Sequence, residues 1–119
     1  MTFSSSGYED LRGYVKNNWN YIAVLDKTGT EQLRWDILNN GNVTITSDET
    51  GNPLTVELEI TGQDIQDAGG SIPVTLTETQ AYQGSATSTP MGSDTMTDGS
   101  LEASGDTVTV THNYELPEI

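Results

Sequence analysis

The 119-residue chain contains no cysteine, so packing alone must stabilise it, without disulfides or a thiolate metal site. Redox compartment therefore leaves no trace in its composition. Lys and Arg are nearly missing as well: Arg12, Lys16, Lys27 and Arg34 are its only cations, and from Trp35 onward fourteen acids occur without a single base. A formal net charge of -14 repels phosphate backbones and anionic bilayers, which argues against nucleic-acid and membrane partners. No stretch approaches the ~18 apolar residues of a membrane span, and the start, MTFSSSGYEDLRG, carries neither a basic n-region nor an apolar h-region. The expectation is a soluble chain without a secretion signal. Nucleophile motifs, phosphate-cradling glycine loops and cofactor-binding motifs are absent too, so neither an enzyme nor a cofactor is expected.

What the chain does have is acid. Like charges in a folded domain push apart, and molar salt relieves them because the Debye length falls to about 3 Å at 1 M. A lysine-poor, Asp/Glu-rich and Thr-rich composition fits a protein that works in concentrated salt. An acidic protein of ordinary salt, or a partly disordered one, is the plainer reading.

Alternating apolar residues argue against disorder throughout. In Ser6-Gly7-Tyr8-Glu9 the spacing fits a capping box, and Tyr8, Leu11, Val15 and Trp19 fall close to one helical face ahead of Asn17-Asn18. The period then switches to two. Tyr21 to Leu25 and Gln32 to Leu38 flank the turn Asp26-Lys27-Thr28-Gly29-Thr30, with Leu33, Trp35 and Ile37 on one side of the second arm. Further strands read at 43–46, at Leu54, Val56, Leu58 and Ile60, and at Ile72, Val74 and Leu76, with Thr75, Thr77 and Thr79 outward. A last one carries Val108, Val110, His112, Tyr114 and Leu116 on one parity. Gly62 to Gly70 reads as a polar connection.

The pattern predicts a mainly β protein, an antiparallel sandwich or barrel of six to seven strands with one short N-terminal helix. Residues 1–119 read as a single domain: helix over 6–18, β core over 20–83 and 101–116, and a long polar loop or arm over 84–100. That 17-residue segment holds no aromatic residue and no base, and its only sizeable apolar side chains are Met91 and Met96. Loops beyond about 12 to 15 residues are uncommon in compact domains and tend to be functional or disordered. Methionine adapts well at contact surfaces. Tyr8, Leu11, Met91 and Met96 are accordingly the candidate interaction residues.

Chemistry is thinly represented. His112 stands alone on a strand parity and reads as a packed or hydrogen-bonded residue. Asp94 and Asp98 are weak candidates for an oxygen-ligated metal, without the spacing of a calcium loop. Glu57 and Glu59 share a strand face, as paired carboxylates of a glycosidase would, and as any half-exposed strand would. Trp19, Tyr21, Trp35, Tyr82 and Tyr114 supply aromatic faces for a sugar platform. Asn42-Val43-Thr44 is a glycosylation sequon with meaning only in an exported chain.

The stretch from Trp19 to Ile65, WNYIAVLDKTGTEQLRWDILNNGNVTITSDETGNPLTVELEITGQDI, and the ending DTVTVTHNYELPEI resemble small structural proteins of tailed viruses that infect halophilic archaea. The likeness is of style and composition. It implies a non-enzymatic virion protein, located on the capsid or tail surface, that decorates or towers above the shell. Such a subunit acts as a homo-oligomer through contact with virion proteins such as the major capsid protein. Decoration proteins often begin with an extended arm, whereas this start reads as helical, which leaves a head–tail or tail adaptor open. A carbohydrate-binding module of an adhesin is the alternative of another class.

Overall fold

The computed structural model describes residues 1–116; residues 117–119 of the expected 1–119 span lie outside the described residues. The element order is α1 (Ser5–Asn18), β1 (Tyr21–Asp26), β2 (Glu31–Asp36), β3 (Val43–Ser47), β4 (Leu54–Thr61), α2 (Gly62–Asp67), β5 (Val74–Tyr82), β6 (Gly92–Leu101) and β7 (Thr107–Tyr114). The strands form two antiparallel sheets, ordered β2-β1-β5-β6 and β3-β4-β7. They face each other as a sandwich and do not close into a barrel.

The interior follows from strand period. In β4, Leu54, Val56, Leu58 and Ile60 are all fully buried while the intervening Thr55, Glu57 and Glu59 turn outward, the signature of a strand with one dry face. Across from them lie Ile22 and Val24 of β1, Leu33 of β2, Leu76 and Ala81 of β5 and Leu101 of β6, and Val110 of the neighbouring β7 joins them in one cluster. The β1–β2 hairpin turns as expected, with Gly29 at φ 79° and the Asp26 carboxylate accepting the Thr28 and Thr30 N–H groups at 2.9 and 3.0 Å. Those bonds hold the Asp26 carboxyl below the usual carboxylate range, the Thr28 hydroxyl contributing most.

The structure departs from the sequence reading at four points. The helix is capped by Ser4, whose extended backbone lets its Oγ accept the Gly7 N–H at 3.1 Å; Ser6 lies inside the first turn. The polar connection contains α2, opened by a capping box in which the Thr61 hydroxyl accepts the Asp64 N–H and the Asp64 carboxylate accepts the Thr61 N–H. Its Ile65 is fully buried and plugs one end of the core.

Thr79 points inward and is fully buried. The reason is a bulge: β5 slips register between Leu76 and Glu78 against both of its neighbours, which reverses the parity beyond it. Finally, the expected loop or arm over 84–100 is a strand from Gly92 onward, an edge of the four-stranded sheet paired with β5. Its own irregular register spaces Met96, Gly99 and Leu101 without a clean alternation, and Gly, Ser and Asp are poor strand formers. Only 83–91 stays a loop. Arg34 fastens it, donating to the Gly84 and Thr87 carbonyls at 3.0 and 2.8 Å while stacking 3.6 Å over the Tyr82 ring.

Gly62 begins α2 against the backbone of the 103–106 turn, and a Cβ there would run into the Ala103 carbonyl. Gly62→Ala should therefore lower the unfolding free energy by about 1–3 kcal/mol in urea titration. Gly41→Ala, which meets nothing within 4 Å, should change it by less than about 0.5 kcal/mol.

Candidate functional site

The helix α1 covers one end of the sandwich, and a cleft opens where it meets the sheets. Its inward face is Tyr8, Arg12, Val15 and Trp19, spaced i, i+4, i+7 and i+11. Arg12, only 2 % exposed, occupies the central position that the reading assigned to Leu11, which is 37 % exposed. Two anchors hold the helix. The Tyr114 hydroxyl donates to the Trp19 carbonyl at 2.6 Å. From the other side, the β3–β4 turn presents Glu49, whose carbonyl accepts Arg12 Nε–H at 2.8 Å and whose carboxylate pairs with Lys16 at 2.7 Å.

That turn is shaped locally. The Asp48 carboxylate accepts the Thr50 N–H and hydroxyl, at 3.0 and 2.6 Å, and is thereby held below its ordinary pKa. The Glu49 carboxyl is lowered as well, chiefly by the Lys16 ammonium.

The cleft has a volume of about 280 Å³. Arg12, Val15 and Trp19 form its helical wall, the opening of β6 with Met91 and Asp94 another, and His112 to Leu116 the third. Behind it, His112 Nδ1 lies 2.6 Å from the hydroxyl of Thr79, and that hydroxyl also reaches the Asp94 carbonyl at 3.3 Å. The ring of Tyr114 meets the imidazole edge-on, 4.8 Å between centroids. Burial pushes the His112 pKa down to about 4, with the Asp94 charge opposing, so the ring is neutral at pH 7. Burial likewise raises the Tyr114 phenol. Thr79 is fully shielded from solvent. The pair is thus a polar cross-link between the two sheets, in line with the hydrogen-bonded reading of His112.

The candidate residues are dispersed. Asp94 accepts the Asn113 N–H at 3.0 Å, Asp98 lies exposed four residues further along β6, and among the described residues no three His, Asp or Glu side chains group as a metal site would need. Tyr8 is buried, and Met96 packs against the core, so of the four interaction candidates Leu11 and Met91 are the ones presented to solvent. Glu57 and Glu59 do share the outer face of β4, where with Asn42 and Thr109 they border a shallow polar hollow. Trp19, Tyr21 and Trp35 are half-buried, and Tyr82 and Tyr114 are buried, so these five offer no exposed flat platform. Asn42 is exposed in the turn before β3.

Sequence reasoning missed Arg12 as a site residue. One signal was present: Arg12 sits four residues after Tyr8 and three before Val15, on the stripe the helical period turns inward. No family model, no characterised protein and no solved structure matches the chain.

The buried imidazole has a consequence for pH. Its folded pKa of about 4 lies below the unfolded 6.5, so the unfolded chain binds the extra proton between those values. Stability that is present above pH 6.5 should fall by about 3 kcal/mol as pH drops through the window to 4. Denaturant titrations at constant high salt should show this slope, and His112→Gln should flatten it. A slope unchanged in the variant would assign it to the carboxylates.

Proposed function

We propose that this chain is a non-enzymatic structural subunit of a virion, a capsid-decorating or turret protein that assembles as a homo-oligomer and contacts other virion proteins in concentrated salt. The observation that carries the reading is where the cations go. Arg12 is buried, Lys16 is paired with Glu49, and Arg34 is engaged with Glu31, Tyr82 and the 83–91 loop. Only Lys27, in the β1–β2 turn, is left exposed among the four, against acids spread over both sheets. Copies of such a surface repel one another until salt screens them, and molar salt shortens the screening length to about 3 Å.

Further support comes from the strand edges. β2 and β3 each end a sheet, and an unpaired strand edge is a ready place for a neighbour to join. Symmetry repeats each weak contact, so affinity in an assembly comes from number. The resemblance to halophilic-virus structural proteins points the same way. A head–tail or tail adaptor is the second reading, for which α1, seated on the sandwich with Leu11 and Tyr14 exposed, offers a contact face.

Light scattering with circular dichroism from about 0.1 to 3 M NaCl tests the proposal, because screening saturates across that range. A monomer should give way to a defined oligomer as salt rises. Met91→Asp and Leu11→Asp, both at exposed positions, should weaken that oligomer about tenfold or more while leaving the β signal intact. A folded monomer at every salt concentration would refute self-assembly.

A further inference from the structure

We infer that the cleft beneath α1 is a binding site for a small monocarboxylate with an apolar body, with the Arg12 guanidinium as its charge-reading group. The inference stands apart from the assembly reading and concerns the single chain.

It begins with an unbalanced donor. Arg12 is 2 % exposed, and its Nη1 has no hydrogen-bond partner among the described residues. A guanidinium does not shed its proton, so the group is a permanent cation withdrawn from water with donors to spare. Its Nε–H is used on the Glu49 carbonyl. Glu49 cannot also serve as counter-ion at full strength, because its carboxylate is held by Lys16 at 2.7 Å. Asp94, on the far wall, is engaged by the Asn113 N–H. A buried cation without a dedicated anion is costly, and an incoming anion removes that cost as it binds.

The walls select which anion. Val15, Trp19, Ala81, Met91, Tyr114 and Leu116 bring apolar surface to the cleft, which calls for a hydrocarbon or aromatic body. Asp94 and Glu115 bring negative charge, which disfavours phosphate and dicarboxylates and leaves a single carboxylate as the tolerated head. A planar carboxylate also matches the guanidinium fork. His112, neutral at pH 7, adds no competing charge. Met91, exposed and unbranched, lines the cleft and can shift to admit the body. The volume of about 280 Å³ suits a ligand the size of benzoate or a branched short-chain acid.

Benzoate is the probe, titrated into the purified full chain at low, constant ionic strength, with light scattering to select the monomer. Trp19 lines the cleft and reports by fluorescence, and Arg12 side-chain resonances report by NMR. Benzoate should shift both and raise the melting temperature. Benzamide, which keeps the ring and loses the charge, acetate, which keeps the charge and loses the ring, and phthalate, a dianion, should each bind about tenfold more weakly or worse. Arg12→Met should abolish the response. Should that variant fail to fold, the Arg12 resonances of the unaltered protein decide instead, since they must move with benzoate and stay still with benzamide. Benzoate that leaves them unmoved overturns the inference. Equal responses to acetate, chloride and benzoate mean an adventitious ion only, and overturn it too. Because the titration reads a monomer, its failure is separate from any failure of salt-dependent assembly.

Discussion

Four cations set against eighteen acids are the constraint around which this structure is arranged. A positive charge is scarce here, and the fold spends three of them at junctions. Arg34 pins the 83–91 loop onto the outer face of the four-stranded sheet, where Ala23, Leu25 and Tyr82 form a second small apolar cluster. Lys16 and Arg12 bind α1 to the β3–β4 turn through one residue, Glu49. Each junction joins segments far apart in sequence that hydrophobic burial alone would hold loosely. The consequence is a surface almost without bases, whose like charges repel one another and are screened by salt.

Between the sheets the argument is of parity. β4 alternates cleanly and needs nothing more than its sequence to place Leu54, Val56, Leu58 and Ile60 inside. β5 does not: its bulge reverses the alternation and sends a threonine hydroxyl into the core. Such a hydroxyl is tolerable there only with a partner. His112 is that partner, from the opposite sheet, and the Asp94 carbonyl of β6 is a second, accepting from the hydroxyl. One backbone irregularity thus accounts for an inward threonine, a neutral buried imidazole and a polar tie across the sandwich.

The two proposals rest on different parts of the molecule. The proposed assembly would draw on exposed side chains and on unpaired strand edges, which lie on the outside. The proposed ligand recognition would draw on the cleft, where a buried guanidinium lies among aromatic and aliphatic walls. Met91 stands at the border of the two, exposed at the surface while lining the cleft. An occupied cleft and a contacted Met91 would therefore influence one another by linkage.

From its order of residues alone, this chain determined its class: mainly β strands in antiparallel pairs, one helix in front, the hairpin turn at Gly29 and the inward row of β4. These are local or short-range outcomes, set by hydrophobic period and turn chemistry, and a single strand or turn carries enough information for each. Tertiary structure alone decided that 92–101 is a strand, because residues of low β propensity pair there only when β5 is already in place beside them. It alone turned Thr79 inward and put Arg12, in preference to Leu11, under the helix, because a bulge and a helix rotation are settled by what lies opposite. The cleft belongs wholly to that second category. Its walls come from α1, β5, β6 and β7, which only the packing of one element upon another brings together.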